Sequence, residues 1–481
     1  MRRTNHYDLI VIGGGPAGQG AAEFAAFAKR RTLVIEREVL GGLPVTVGGG
    51  PTKTLREAAL HLTGFRHRSL YGFTTQPDIS LAVQSVRART REVCSAMQDF
   101  TRSVFVDKLG VEVAYGSASL GSDGVVIFTP KEASEKSGKE IFFTADKILI
   151  ATGSRPFRPD HIPFDDPDIF DSGELPRLSR IPKNVLVIGG GSIGCEFASI
   201  FTAFGIPVTI VQSGQSLVRS MDGEVSHILS NVFQNQGIQI LFGTTVRSAD
   251  RVNGRLQIIL ESGESLNPDI VLFAAGRTVN TESLGLEEAE VKTSARGFIE
   301  VDNRFQTSVP GIYAAGDVIG PSLSSVSMEQ GRVAACHALG LGIKEKLDPL
   351  PVSAVYSVPE VAGIGLTEED ARRHGIDYEV GRCYFRQIPR GIISGDSDGF
   401  LKLIFHSRDR RLLGVHILGD IASELIGLGQ ATIHNEGKID QFNLLTFATP
   451  TYTMAYKYAA FDGFKRLATK GTLEAAFDVK K

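Results

Sequence analysis

A six-residue glycine pattern, met twice in the same setting, restricts the fold of this chain more than any other feature. The run Tyr7-Asp8-Leu9-Ile10-Val11-Ile12 leads directly into Gly13-Gly14-Gly15-Pro16-Ala17-Gly18, and an Ala-rich segment follows from Gln19 to Arg30. The apolar run reads as a buried parallel strand and the segment after it as a helix. A second strand, Thr32-Leu33-Val34-Ile35, ends at Glu36, 23 positions beyond Gly13. G-x-G-x-x-G alone is weak evidence. Between a strand and a helix, with an acid at the tip of the next strand, it marks a dinucleotide site. Gly13 permits the tight turn, Gly15 lets the backbone approach a pyrophosphate, and Gly18 lets the helix pack close to the sheet. The free N–H groups of the helix start face the phosphates. Glu36 is placed to accept the hydroxyls of an adenosine ribose.

The pattern repeats at Asn184-Val185-Leu186-Val187-Ile188, which leads into Gly189-Gly190-Gly191-Ser192-Ile193-Gly194 and a helix starting near Cys195-Glu196. The next strand is Val208 to Val211, and the acid expected at its tip is replaced by Gln212. An acid there would bind the ribose hydroxyls of NAD and repel a 2′-phosphate; Gln212 does neither. Ser213 can hydrogen-bond either nucleotide. Arg219 reads either as a 2′-phosphate ligand or as an ordinary surface arginine. Each glycine unit closes with a similar strand, Asp146 to Gly153 with Thr152 near its end, and Asp269 to Gly276. A third glycine-ended strand runs from Gly311 to Gly316-Asp317, with its acid where α/β sheets bind ligands. Two such sites imply two dinucleotides held at once.

At 481 residues the chain has room for about three domains. The expected boundaries are 1–155, 156–278, 279–345 and 346–470, the first and third being two parts of one nucleotide domain. Beyond about residue 346 the strands Leu401–Phe405 and Leu412–Leu418 and a helix Ser423–Ile433 read as an α+β domain with no nucleotide signature. The fold class is therefore α/β, with two Rossmann-like dinucleotide-binding domains and a C-terminal α+β domain. A charged content of 22% and hydrophobic content of 42% exclude a disordered chain and a coiled coil. Fifty-one basic against 54 acidic residues argue against a nucleic-acid binder. No apolar run is long enough to span a bilayer, so no membrane partner is expected. The four cysteines, Cys94, Cys195, Cys336 and Cys383, form neither a C-x-x-C nor a zinc-ligand spacing. They read as reduced structural thiols, with no metal site and a cytoplasmic location. The basic N-terminus runs into an apolar stretch of only Leu9 to Ile12, so secretion is not expected. The polar stretch Lys131 to Lys139 and the tail after Lys470 are expected to be mobile.

Together these residues resemble the two-dinucleotide flavoprotein reductases, the family of glutathione reductase and dihydrolipoamide dehydrogenase. The resemblance runs over roughly residues 6 to 468 and includes both glycine turns, Ala151-Thr152-Gly153, Gly276-Arg277, Gly316-Asp317, and the segments Pro51-Thr52-Lys53 and Thr449-Pro450-Thr451. It implies FAD in the first site, with Gly13, Gly15, Gly18, Glu36, Lys53, Thr152, Gly153, Gly276, Gly316 and Asp317, the last bonding the ribityl chain. It implies NAD(P) in the second, with Gly189, Gly191, Ser192, Ile193, Gly194, Gln212, Ser213, Arg219 and Gly276. It also implies a homodimer or higher homo-oligomer built through the C-terminal domain. Some relatives carry a bulky gate where this chain has Ser192.

The family's redox disulfide is written G-G-x-C-x-x-x-x-C-x-P-[ST]-K. Here Pro44 and Gly49 occupy its cysteine positions, in Gly41-Gly42-Leu43-Pro44-Val45-Thr46-Val47-Gly48-Gly49-Gly50-Pro51-Thr52-Lys53. The family's C-terminal H-P-T-x-x-E reads Thr449-Pro450-Thr451-Tyr452-Thr453-Met454. Thiol–disulfide exchange needs a thiolate and a proton shuttle, and neither stands in place. Disulfide reductase, lipoamide dehydrogenase and mercuric reductase activities are therefore rejected. Lys53 and Glu196 match a pair that, in the family, sits beside the flavin N5 and the nicotinamide, where a cation stabilises charge on reduced flavin. Their bland readings are a helix-start lysine and an ordinary helix acid.

Hydride exchange between two nicotinamides needs no protein nucleophile, because the cofactor carries the chemistry. The chain also resembles the transhydrogenating branch of the family, in Gly194 to Phe201, Gly276 to Thr281, Gly316 to Gly320 and Ala459 to Gly463. That branch keeps the first cysteine and the C-terminal Glu, where this chain has Pro44 and Met454. The expected activity is FAD-dependent hydride transfer between NADPH and NAD+ at Lys53 and Glu196. The alternatives are an NAD(P)H:acceptor reductase for a quinone, dye or O2, and a non-catalytic flavoprotein redox sensor.

Overall fold

The computed structural model describes residues 5–63, 70, 72, 79–131, 140–175, 178 and 180–470. The stretches 132–139 and 471–481, where mobility is expected, lie outside them. The chain forms two compact units, Met1–Thr54 with Ser85–Phe157 and Gly276–Pro349, and Leu55–Gln84 with Arg158–Ala275 and Leu350–Lys481. The two carry a Rossmann-like sheet each, and the second adds the C-terminal α+β part.

In the first unit the strand His6–Ile12 lies between Thr32–Glu36 and Ile141–Ile150, parallel to both, and Ile312–Ala314 extends the sheet. Its second half, Leu9–Ile12, is apolar without alternation because both faces are covered. Leu9 and Val11 pack towards the helices Pro16–Phe27 and Ser324–Leu339, while Tyr7, Ile10 and Ile12 pack with Val126 and Phe128 on the other side. There the strands Glu112–Leu120 and Val125–Pro130 form an antiparallel wing with the first half of Ile141–Ile150. The first helix begins at Pro16, three residues before the Ala-rich run, and ends at Phe27. Gly15 is its N-cap, and a proline in the first turn has φ already set for a helix. The second glycine-turn helix likewise begins at Ser192, ahead of Cys195, with Gly191 as N-cap.

In the second unit the parallel sheet runs Gln239–Phe242, Val208–Gln212, Val185–Ile188, Ile270–Phe273, Ile169–Asp171, beside a small antiparallel sheet of Val246–Val252, Arg255–Leu260 and Ser265–Leu266. The C-terminal part is a five-stranded sheet in the order Ser353–Val355, Glu360–Gly365, Leu412–Gly419, Phe400–His406, Tyr378–Tyr384, with antiparallel neighbours. Helices Ala422–His434 and Met454–Thr469 share its apolar core. Val355, Val361, Phe400 and Leu418 of this part pack in one cluster with Phe197, Phe201 and Leu229 of the nucleotide-binding part. Among the described residues no helix is long and apolar enough to cross a membrane, and no cluster of side chains could hold a metal. All four cysteines are free, and burial raises each thiol, Cys383 to about 12.

The same unit encloses a charge cluster. Lys402, 1% exposed in its side chain, lies 2.9 Å from Asp222 and 3.0 Å from Glu224, and also pairs with Glu368. Arg382 bonds Glu224 through Nε and Nη2, at 2.8 and 2.9 Å. Asp222 is also the N-cap of the helix Gly223–Asn235. Burial alone would raise the three carboxylates, but the facing cations outweigh it and hold all three below their ordinary range. Burial would lower Lys402, and the three acids reverse that too. One lysine therefore ties the helix start, the sheet strand Phe400–His406 and the helix Glu368–Arg373 together.

Removing one partner from such a cluster leaves uncompensated buried charge. Lys402→Met is expected to lower unfolding stability by about 3–5 kcal/mol, read from denaturant midpoints. Because the folded carboxylates sit below their unfolded values, their contribution is complete above about pH 4–5 and drains away as pH falls further. The wild-type stability curve should therefore drop below that range, and the Lys402→Met variant should show a shallower acid limb.

Candidate functional site

In the first cradle the protein itself closes around two of the three motif glycines and leaves the third open. A Cβ at Gly13 would lie 2.3 Å from the Ala151 carbonyl oxygen, and one at Gly18 would lie 1.9 Å from that of Gly13. A Cβ at Gly15 would meet nothing within 4 Å. The helix it caps has no side-chain cap. Gly15 thus presents bare backbone and a helix N-terminus to open space, which fits the pyrophosphate of FAD. Glu36 lies beside the turn. Its Oε2 accepts the Gly14 N–H at 2.7 Å and its Oε1 accepts that of Glu38 at 2.7 Å. Each oxygen keeps a further lone pair for a ribose hydroxyl.

The closing strands supply the rest of this unit's candidates. Thr152 Oγ1 donates to the Asn280 carbonyl at 2.7 Å, and Asn280 Nδ2 returns a bond to the Thr152 carbonyl at 2.9 Å. Gly153 and Gly276 both have positive φ, at 69° and 140°, on either side of the strand pair Ser154–Pro156 and Arg277–Val279. Gly316 donates its N–H to Gln330 at 2.8 Å. Asp317 is held at both oxygens, by the Ser154 hydroxyl and by the Ser322 N–H at 3.1 Å. Arg277 in turn donates to the Ser154 oxygen at 2.7 Å, with its Nε 3.6 Å from Asp317. The chain Arg277 to Ser154 to Asp317 is polarised in one direction. Sequence reasoning named Asp317 but not Ser154. Its position directly after Ala151-Thr152-Gly153 was the available signal.

The second cradle repeats the construction. A Cβ at Gly189 would lie 2.8 Å from the Ala274 carbonyl oxygen, one at Gly194 would lie 1.9 Å from that of Gly189, and one at Gly191 meets nothing within 4 Å. Again no side chain caps the helix, so this turn fits the phosphates of NAD(P). Gln212 Oε1 accepts the Gly190 N–H at 2.9 Å, the same bond that Glu36 makes to Gly14, and its Nε2 donates to Ser216. The amide therefore keeps the carboxylate's structural bond without its charge. Ser192, Ser213 and Arg219 are exposed, and Ile193 is half-buried.

The groups flanking the cradles depart from a thiol site. Pro44 lies in a short helix, Leu43–Thr46, and Gly49 packs on it so closely that a Cβ would lie 2.3 Å from the Pro44 carbonyl oxygen. Lys53 enters the helix Gly50–Thr63 half-buried, and its Nζ donates to the Gly48 carbonyl at 3.1 Å. In the other unit Glu196 is 7% exposed, so it is no solvated helix acid. Its Oε1 accepts the Tyr356 N–H at 3.0 Å. At the C-terminal motif Thr449 Oγ1 contacts Met454 Sδ at 2.7 Å. A hydroxyl and a thioether stand where the resemblance places a His and a Glu, and this pair cannot shuttle protons near neutral pH.

The profile of the pyridine nucleotide-disulphide oxidoreductases matches residues 7–335, and that of their dimerisation domain matches residues 351–460. The chain is 38% identical over 466 residues to the soluble pyridine nucleotide transhydrogenase of Mycobacterium tuberculosis, covering 96% of this chain and 98% of the relative. It is 36% identical over 468 residues to that of Pseudomonas putida, covering 96% and 99%. Among solved structures it is similar to LpdA from Mycobacterium tuberculosis, with a TM-score of 0.86, 27% identity and coverage of 94% and 99%. It is also similar to the HOCl-induced flavoprotein disulfide reductase RclA from Escherichia coli, with a TM-score of 0.83, 26% identity and coverage of 95% and 99%. With two dinucleotide cradles and these matches over nearly its whole length, the chain belongs to the pyridine nucleotide-disulphide oxidoreductase family, whose enzymes use FAD and NAD(P).

Proposed function

We propose that this oxidoreductase transfers hydride between NADPH and NAD+ as an NAD(P)+ transhydrogenase, without a redox-active disulfide. The observation that carries the reading is the pairing of Pro44 with Gly49 in a chain that keeps both glycine cradles: each dinucleotide has a cradle of its own, and neither motif position offers a thiol nucleophile. Residues 1–155 and 279–345 would serve FAD, 156–278 NAD(P), and 346–470 a homodimer in the cytoplasm. FAD, when bound, supplies a ring that accepts hydride from one nicotinamide and passes it to another.

The chain's own residues position and stabilise. Lys53, steadied by the Gly48 carbonyl, holds a cation where negative charge develops. Glu196, pinned by the Tyr356 N–H, is the acid on the nucleotide side. Gln212 offers neither attraction to ribose hydroxyls nor repulsion of a 2′-phosphate, which suits two different nucleotides at one site. The small, exposed Ser192 leaves the nicotinamide pocket open. Asp317, oriented by Ser154, takes the ribityl chain. A second reading, an NAD(P)H:acceptor reductase, draws on Gly48, where a Cβ would meet nothing within 4 Å.

NADPH-driven reduction of thio-NAD+ by the purified protein should be fast, ping-pong and accompanied by little oxygen uptake. Flavin reduction by NADPH without exchange would instead favour the acceptor reductase. Lys53→Met and Glu196→Gln should each lower kcat/KM for exchange, measured per bound FAD, by about 10²-fold, since each removes a preorganised charge. Ser154→Ala should weaken FAD retention by about 10–100-fold in dialysis or apoprotein titration, the scale of a hydrogen bond to a charged group, and Ser154→Thr should restore it.

A further inference from the structure

We infer that Arg56 is a positioning residue for Glu196, acting through the turn Tyr356–Pro359; the inference rests on the reading of Glu196 as a participant in hydride transfer. The turn is docked on one face of the helix Ser192–Ala203. Tyr356 gives its N–H to the Glu196 carboxylate, and Val358 gives its N–H to Ser199 Oγ at 3.0 Å. Ser199 lies three residues along the helix and donates its proton to the Glu196 carbonyl at 2.9 Å. The two amides that hold the turn to the helix thus alternate along it. Between them sits Ser357, fully buried, with its hydroxyl bonded to the Pro359 carbonyl at 2.6 Å.

The Ser357 carbonyl, between the two amides bonded to that helix, accepts Arg56 Nε at 3.2 Å. Arg56 lies three residues after Lys53 in the helix Gly50–Thr63, and its side chain is 7% exposed. Its guanidinium is fixed on two further sides, by Glu57 at 2.8 Å and by Glu360, equally buried, at 3.2 Å. The other oxygen of Glu360 accepts the N–H and hydroxyl of Ser423, at 3.0 and 2.8 Å. A guanidinium locked by two carboxylates is a rigid donor, and its planar fork can serve carboxylate and carbonyl together in a way that an ammonium cannot. The Tyr356 phenol is raised by burial and then by Glu360 and Glu196, while Arg56 lowers it, so these groups share one electrostatic neighbourhood. The guanidinium holds the turn at its Ser357 carbonyl, and the turn aims the amide that orients Glu196. Loss of the clamp leaves Glu196 in place but able to swing away from the Tyr356 N–H.

The test compares Arg56→Met combined with Glu360→Gln (so that no buried carboxylate is stranded), Arg56→Lys, Glu196→Gln, and the double variant joined to Glu196→Gln. Three quantities are read on FAD-loaded protein: amide hydrogen exchange across residues 356–358, NADP+ affinity by flavin absorbance, and the anaerobic single-turnover rate of flavin reduction by NADPH. The double variant should speed exchange at 356–358 and slow flavin reduction about tenfold, the scale of one hydrogen bond, with NADP+ affinity and FAD content within about twofold of wild type. Arg56→Lys, which keeps the charge and lacks the fork, should lose part of the rate. Adding Glu196→Gln to the double variant should cost nothing beyond Glu196→Gln alone, because the two act on one group. Multiplying losses, or unchanged exchange at 356–358, would overturn the inference. If Glu196→Gln itself leaves the flavin reduction rate at wild type, the reading of Glu196 fails and the inference falls with it, a result distinct from a slow Glu196→Gln beside a fast double variant.

Discussion

Backbone pressed against backbone is the constraint on which both halves of this protein depend. In each cradle the helix start touches the turn before it at a position that has no room for a single carbon, Gly18 against Gly13 and Gly194 against Gly189. That contact sets the angle at which the helix leaves the sheet, and the angle directs its N-terminal amides towards open space. The same principle recurs away from ligands. The helices Pro16–Phe27 and Ser324–Leu339 meet where a Cβ at Gly331 would lie 1.8 Å from the Ala17 carbonyl oxygen. With 53 glycines in 481 residues, the composition already pointed to such contacts.

The parts of the molecule governed by local rules were legible in the sequence. The β-branched runs at Leu9–Ile12 and Val185–Ile188 are strands because nothing in them alternates and both faces are covered. The helix starts were read late, at Gln19 and Cys195 instead of Pro16 and Ser192, because alanine-rich periodicity begins after the capping turn that initiates the helix. What depends on distant partners was not legible. Nothing near Gln212 says that its amide oxygen takes over a carboxylate's bond to the turn. The Ser357 and Glu360 partners of Arg56 lie some 300 residues away, and the three acids that close over Lys402 come from remote segments.

The second unit stabilises buried charge by two different means. Around Lys402 several carboxylates converge on one ammonium, which needs opposite sign and proximity but little angular precision. Around Arg56 a planar fork meets carboxylates and a peptide carbonyl in set directions. The first arrangement joins elements, and the second fixes the orientation of a turn. Both leave the C-terminal sheet sharing a core and an ionic network with the nucleotide-binding sheet of its own unit.

The packing of Gly49 on Pro44 decides what position 49 can accept. A cysteine at position 49 would drive its Cβ into the Pro44 carbonyl and lie within 2.7 Å of the Pro44 Cα. The obstruction is main chain, which no rotamer change relieves, and Pro44 sits in the first turn of its own short helix. A side chain at position 49 would therefore require the main chain between Pro44 and Gly49 to move first. In this backbone conformation position 49 is closed to any side chain by the main chain it faces, so its glycine is a requirement of packing as much as of chemistry.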